Sequence, residues 1–288
     1  MTVRQYPSSF TVEADAAPEA RQLIAERYRK EPAHISEEWN PVLATLLSHR
    51  SVRAFTDRPV SDETLAAAVA AAQSAATSSN TQSWSVIAVR DPERKARLAD
   101  LAASQRQIRE APLFLVWLAD LSRVEAIGKQ ADIEVEGVHY LETAIVGIVD
   151  ATLAAQNAVV ALESLGLGTN YIGGLRNHPE HVAQELNLPP RVFAVFGLCV
   201  GYPDETRPAS IKPRLGQSAV LHGETYSWER QNEAIGRYNA SLRQFQAEQN
   251  LPSEDWTNIV VNRFRSADRL HGRDRIRAAL AHLGFDLR

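Results

Sequence analysis

YLETAIVGIVDATLAAQNAVVALESL, residues Tyr140 to Leu165, is the stretch on which the fold turns. It is almost all helix-forming and apolar on most of its circumference, with small residues at Ala144, Gly147, Ala151, Ala154, Ala155 and Ala158. A helix of that kind must be covered on every side. Small side chains let another backbone approach closely, and in a chain of 288 residues a partner subunit can supply cover that one copy lacks. Asp150, Gln156 and Asn157 interrupt the run, so the apolar stretches fall well short of the roughly 20 residues a spanning helix needs. The chain opens without a charged segment followed by an apolar one, and neither export nor membrane insertion is expected.

On the C-terminal side, Gly166 and Gly168 end the helix, and Asn170 to Gly173 reads as a short strand. Pro179 to Leu186 reads as a helix and Val192 to Val200 as a central strand. On the N-terminal side, Leu113 to Leu118 is a continuous apolar strand and Trp84 to Val89 is strand-like. Between them Asp91-Pro92-Glu93 starts a helix with a capping aspartate and a proline at the first helical position. Ser61, with Asp62 and Glu63 behind it, caps the alanine-rich segment Thr64 to Ala76. Further back, Glu38 to Ser48 carries Trp39, Val42, Leu43, Leu46 and Leu47 on one helical face and ends at His49. Beyond about residue 216 the strands stop, and polar helices follow around Trp228 to Gln249, Trp256 to Arg265 and Arg273 to Leu283. The expected organisation is an N-terminal arm over 1–37, with one helix near Ala17 to Lys30, a core over 38–216, and a helical C-terminal extension of the same domain over 217–288. No internal repeat or low-complexity segment interrupts it.

A formal net charge of −4, from 31 basic and 35 acidic side chains, gives no field to hold a nucleic-acid backbone. The one cysteine, Cys199, rules out an internal disulfide and any multi-cysteine metal or iron–sulfur site, and fits a reducing cytoplasm. It is most simply a small buried apolar residue. His178 and His181 stand at three-residue spacing with no third ligand arranged around them, so no metal is expected. There is no nucleophile elbow and no phosphate-binding P-loop, and Gly166, Gly168, Gly173 and Gly174 do not make a dinucleotide fingerprint.

Four clusters can carry chemistry. His49-Arg50-Ser51-Val52-Arg53 places cationic and donor groups where a helix runs out; they suit an anion such as phosphate, or else offset the helix dipole. Ala76-Thr77-Ser78-Ser79-Asn80-Thr81-Gln82 offers hydroxyls and amides to a heterocycle edge, or is an ordinary polar turn. Tyr171-Ile172-Gly173-Gly174-Leu175-Arg176-Asn177 removes side chains where a flat ligand could reach the backbone, or is a tight strand-to-helix turn. Lys212-Pro213-Arg214 could close on a phosphate, or is a solvated surface pair.

Taken in order, these clusters resemble the nitroreductase family, in its branch of NADPH-dependent, oxygen-insensitive nitroreductases and flavin reductases. The residues that carry the resemblance are His49-Arg50-Ser51-x-Arg53, Phe55-Thr56-Asp57-x-Pro59, Thr77-Ser78-Ser79 with Gln82, and Ala151-x-x-Ala154-Ala155-Gln156-Asn157-Ala158. They continue through Glu163-Ser164-Leu165-Gly166-Leu167-Gly168, Tyr171 to Asn177, and Phe196-Gly197-Leu198-Cys199-x-Gly201 to Lys212-Pro213-Arg214. The resemblance implies an α+β fold with a mixed central sheet flanked by helices, an intertwined homodimer, and one FMN in each of two interface sites. By the same resemblance His49, Arg50, Ser51 and Arg53 bind the ribityl phosphate and neighbouring flavin atoms, with Lys212 and Arg214 completing the clamp. Thr77 stands where the branch has serine and joins Ser78, Ser79 and Gln82. Gln105 matches a glutamine that meets the flavin, and Tyr171, Ile172, Gly173 and Gly174 line the ring. Arg273, among seven arginines between Arg263 and Arg288, is the position expected to receive the extra phosphate of NADPH. The arm and the extra residues around Asp132 to His139 lie outside the branch's pattern.

In such flavoproteins the flavin carries the chemistry and no side chain is an obligatory acid, base or nucleophile. The expectation is a cytoplasmic oxidoreductase taking hydride from NADPH, with NADH as an alternative donor. It passes the electrons by a ping-pong cycle to a small acceptor such as a nitroaromatic, quinone or flavin. Two rivals stand beside it: a flavin reductase supplying free reduced FMN to a monooxygenase, and a flavin-binding sensor without turnover.

Overall fold

The computed structural model describes residues 16–29 and 39–288. The rest of the arm, with the expected helix bounds at Lys30 and Glu38, lies outside the described residues. Two compact units make up the chain: one joins the described residues up to Arg50 with Ser210–Arg265, the other joins Ser51–Ala209 with Ser266–Arg288.

The first unit is helical, with α1 (Ala16–Tyr28), α2 (Pro41–Ser48), and, after a long sequence gap, α9 (Glu229–Glu248) and α10 (Trp256–Phe264). Helix α2 starts three residues later than its apolar spacing suggests, because Asn40 caps it through Leu43 N–H and Pro41 takes the first helical position. Tyr238, Leu242 and Phe245 of α9 form the apolar centre with Leu215 and Trp256.

The second unit contains α3 (Asp62–Gln73), β1 (Trp84–Val89), α4 (Pro92–Leu101), α5 (Arg106–Glu110), β2 (Leu113–Asp120) and α6 (Ser122–Gln130). It continues with α7 (Leu141–Ser164), β3 (Gly168–Ile172), α8 (Pro179–Glu185), β4 (Val192–Gly201) and α11 (Ile276–His282). The strands run in the order β1-β2-β4-β3. The mixed sheet is corrected in part: all three strand pairs are antiparallel, and parallel pairing among the described residues is confined to the isolated bridge of Ser51 with Thr169 at the β3 edge.

Strand β2 explains the layering. Leu113, Leu115 and Trp117 point to α3 and α7, while Phe114, Val116 and Leu118 meet Leu98, Ile108, Leu175 and Val182 on the opposite face. Both faces are dry, which is why the strand reads as a continuous apolar run instead of an alternation. In β4 the register shifts opposite Trp117 and Leu118, so the residues facing α7 change from Phe193 and Val195 to Leu198 and Val200.

Helix α7 ends in a Schellman arrangement, with Gly166 at φ +80 donating to Glu163 and Leu167 donating to Leu162. At 24 residues it is long and apolar enough to cross a membrane by length and composition, contrary to the expectation from its polar interruptions. In this fold its small residues Ala154, Ala155 and Ala158 lie against the sheet and α3. Its opposite stripe, Leu141, Ile145, Val149 and Leu153, is 43–49% exposed at four-residue spacing.

Candidate active site

In the first unit a buried guanidinium organises the basic cluster. Arg27 of α1 is 6% exposed. Its Nη2 donates to the carbonyls of Leu47 at 2.9 Å and His49 at 2.6 Å, and its Nη1 to that of Lys212 at 2.9 Å. The end of α2 would otherwise present unpaired carbonyls and the negative end of a dipole, and the guanidinium answers both. The dipole-offsetting role weighed for the His49–Arg53 cluster therefore falls to Arg27. Arg214 N–H donates to the Arg27 carbonyl at 2.9 Å, and the Tyr238 hydroxyl donates to the Pro213 carbonyl at 2.9 Å. Arg50, Lys212 and Arg214 lie exposed on this fixed backbone, and Arg214 Nη1 donates back to the Lys212 carbonyl at 3.1 Å and the Pro213 carbonyl at 3.3 Å. One guanidinium thus spans the backbones of His49 and Lys212, 163 positions apart in sequence (212 − 49). The arm's function is not readable in the sequence, because an arginine in a polar helix carries no signal of this kind.

In the second unit Asp150 does comparable work. This carboxylate is 1% exposed in the middle of α7. It accepts from the Thr77 hydroxyl at 2.6 Å, Ser78 N–H at 3.0 Å and Ser83 N–H at 3.0 Å. The Thr77 oxygen in turn accepts Gln82 N–H at 2.9 Å. The loop so held has Ser79, Asn80 and Gln82 at positive φ of 47, 56 and 50, a left-handed conformation that costs L-residues energy and persists only where surroundings enforce it. Ser78, Ser79 and Gln82 are exposed on it. The sequence offered one clue: a single carboxylate inside an apolar helix needs buried partners.

The remaining second-unit candidates gather around β3. Ser51 bridges Thr169, and Val52 N–H donates to the Thr169 carbonyl at 2.9 Å. Phe55 bridges Pro203, and Thr56 N–H donates to the Tyr202 carbonyl at 2.9 Å. Arg53, between these anchors, is exposed, with a long 3.4 Å contact to the Ser51 carbonyl. The Tyr171 ring meets Phe196 edge-on at 5.1 Å and its hydroxyl donates to Gln156 at 3.3 Å. Ile172 is buried. At Gly174 an added Cβ would stand 2.8 Å from the Ala102 carbonyl, so the missing side chain lets the strand end close on the loop that carries Gln105. Gln105 accepts from Gln107 Nε2 at 2.5 Å and is partly exposed.

Other residues are engaged elsewhere. Arg273 Nε donates to Asn177 Oδ1 at 2.9 Å, and Arg275 pairs with Glu180 at 2.6 Å and 3.0 Å, holding that carboxyl below its usual range. Cys199 is fully buried and burial pushes its thiol well up. The neighbouring Lys95 is buried with its ammonium donating to the Ala111 carbonyl at 2.6 Å, and burial lowers its pKa. Among the described residues no group of histidine, cysteine and carboxylate side chains is arranged for a metal.

Residues 46–202 match the model of the nitroreductase family, and residues 212–288 that of the family's C-terminal domain. The chain belongs to the nitroreductase family. This nitroreductase-family chain is 37% identical over 243 residues to a Cr(VI) reductase of Pseudomonas sp. strain G-1, covering 84% of this chain and 97% of that protein. It is equally 37% identical over 250 residues to an FMN reductase [NAD(P)H] of Bacillus subtilis, covering 85% and 98%. Among solved structures, NfrA2 of B. megaterium superposes with a TM-score of 0.81 at 37% identity, over 87% of this chain and 100% of that one. The NADPH:FMN oxidoreductase of Vibrio harveyi complexed with NAD+ gives 0.76 at 32% identity, over 86% and 100%. The family match starts at residue 46, so α1 and Arg27 precede it.

Proposed function

We propose that this nitroreductase-family chain is an FMN-dependent NADPH oxidoreductase that reduces nitroaromatics, quinones or flavins. The carrying observation is the basic patch of His49, Arg50, Lys212 and Arg214, whose main chain is fixed from behind by buried bonds to Arg27 and Tyr238. Exposed arginine and lysine on a fixed backbone suit a phosphate monoester, and arginine can give it a bidentate partner. FMN, when bound, would supply the hydride-transfer chemistry between NADPH and the acceptor, for which a ping-pong order is proposed.

The protein's own groups bind and orient. His49, Arg50, Ser51 and Arg53, with Lys212 and Arg214, are assigned to the phosphate. Thr77, Ser78, Ser79 and Gln82, Gln105, and Tyr171 with Ile172, Gly173 and Gly174 are assigned to the ring. The exposed donors of the Thr77–Gln82 loop, preset by Asp150, would offer hydrogen bonds to the edge of a bound ring. Arg273 is assigned to the NADPH phosphate. The exposed α7 stripe supports a homodimer, because apolar side chains repeating every fourth residue along a helix want a covering surface. The net charge and single cysteine support a cytoplasmic setting.

The test is a spectrum of purified protein, followed by anaerobic addition of NADPH. A yellow protein that bleaches supports the reading; colourless protein that takes up no FMN in a titration refutes it. Arg53→Ala and Lys212→Ala are expected to weaken FMN retention. The B. subtilis relative's name, FMN reductase, favours a second reading in which free flavin is the physiological acceptor. Steady-state rates with nitrofurazone, a quinone and FMN separate the two.

A further inference from the structure

We propose that Arg27 is a positioning residue for the phosphate-binding cluster, so that the N-terminal helix α1 controls how tightly this chain keeps its flavin. The inference rests on the FMN reading above. Its basis is one buried side chain that joins the backbone of His49, at the end of α2, to that of Lys212. Each carbonyl, by accepting from Arg27, fixes where the cations beside it are presented. Only a planar guanidinium with its fixed fork of donors reaches three carbonyls on two segments at once, and an ammonium does not reproduce that geometry.

Helix α1 is secured independently. Ala20 is 3% exposed, and Arg29 makes two bonds to the Glu248 carboxylate of α9, at 3.0 Å and 2.8 Å. That ion pair also holds the Glu248 carboxyl below its usual range. The helix lies before residue 46, where the family match begins, and the relatives align along 97–98% of their own length while covering 84–85% of this chain. The staple is therefore an addition to the matched region.

Apoprotein of the wild type, Arg27→Lys and Glu248→Gln is titrated with FMN and, separately, with riboflavin, which lacks the phosphate; circular dichroism checks the fold. Loss of well-placed charge-assisted bonds in Arg27→Lys is expected to lower FMN affinity about tenfold or more while riboflavin affinity changes less than about twofold. Glu248→Gln, which loosens the helix from the far side, is expected to lower FMN affinity roughly two- to threefold with riboflavin unchanged. Equal weakening of both ligands, or unchanged FMN affinity in Arg27→Lys, overturns the inference. Should Arg27→Lys not fold, Glu248→Gln decides alone, and unchanged FMN affinity there overturns it. A wild type that binds FMN no better than riboflavin instead overturns the phosphate assignment, and this inference with it.

Discussion

Replacing Asp150 by asparagine isolates the carboxylate that shapes the Thr77–Gln82 loop. Its Oδ2 receives the Thr77 hydroxyl and Ser83 N–H, and its Oδ1 receives Ser78 N–H. Asparagine keeps one acceptor and turns the other oxygen into a donor. The amide therefore settles with its oxygen at the doubly bonded position and its NH2 against Ser78 N–H. One charge-assisted bond is lost, and two fall from about 1.5–3 to about 0.5–1.5 kcal/mol each. Relief from burying a charge offsets part of this, since ion desolvation inside a protein costs several kcal/mol. A net loss of about 2–3 kcal/mol is expected, which lowers Tm by roughly 5–10 °C for a unit of this size. The loop should then relax from its positive-φ conformation and present its donors less well, so FMN affinity should fall with stability. Urea unfolding followed by far-UV circular dichroism, paired with FMN titration, measures both. A variant that is at least as stable as wild type and binds FMN equally well would refute the argument that this carboxylate holds the loop.

Four other expectations follow from the geometry. Gly174→Ala forces a methyl to within 2.8 Å of the Ala102 carbonyl and should cost about 1–3 kcal/mol in urea unfolding; an unchanged midpoint would mean that the Gln105 loop yields freely. Tyr238→Phe removes the hydroxyl that holds the Pro213 carbonyl and should cost about 1 kcal/mol by the same measurement. Burial lowers the Lys95 pKa in the folded protein, so between that value and the unfolded value of about 10.4 the unfolded chain binds more protons and stability rises with pH. Lys95→Met should flatten that rise across unfolding midpoints taken toward pH 10, and a slope equal to wild type would contradict it. Val149→Asp places a charge in the exposed α7 stripe and should convert a dimer to monomer by size-exclusion chromatography with light scattering; an unchanged mass would move the expected interface elsewhere.

Local chemistry made much of the fold legible from residues alone. The residues of Trp84–Val89 mark that strand to its ends, Asp91 and Pro92 start α4 as their types dictate, and α7 closes after Ser164 with Gly166 in the left-handed conformation that completes its cap. These signals lie within a few positions of their effect. The order of the four clusters likewise identified the family, which the family match bears out. Strand direction at the β3 edge was not readable, since an apolar run records burial and not the orientation of its neighbour.

What the sequence by itself determined here is the list of chemically able groups: cations at residues 49–53 and 212–214, hydroxyls and amides at 77–82, and glycines at 173 and 174. Tertiary structure alone decided how they are held, through Arg27 joining His49 to Lys212 and Asp150 fixing Thr77, Ser78 and Ser83. The physical reason is that a buried charge is satisfied by whichever carbonyls or N–H groups the fold brings to it. Those partners lie up to 185 residues away, and backbone groups carry no mark in the sequence to announce them.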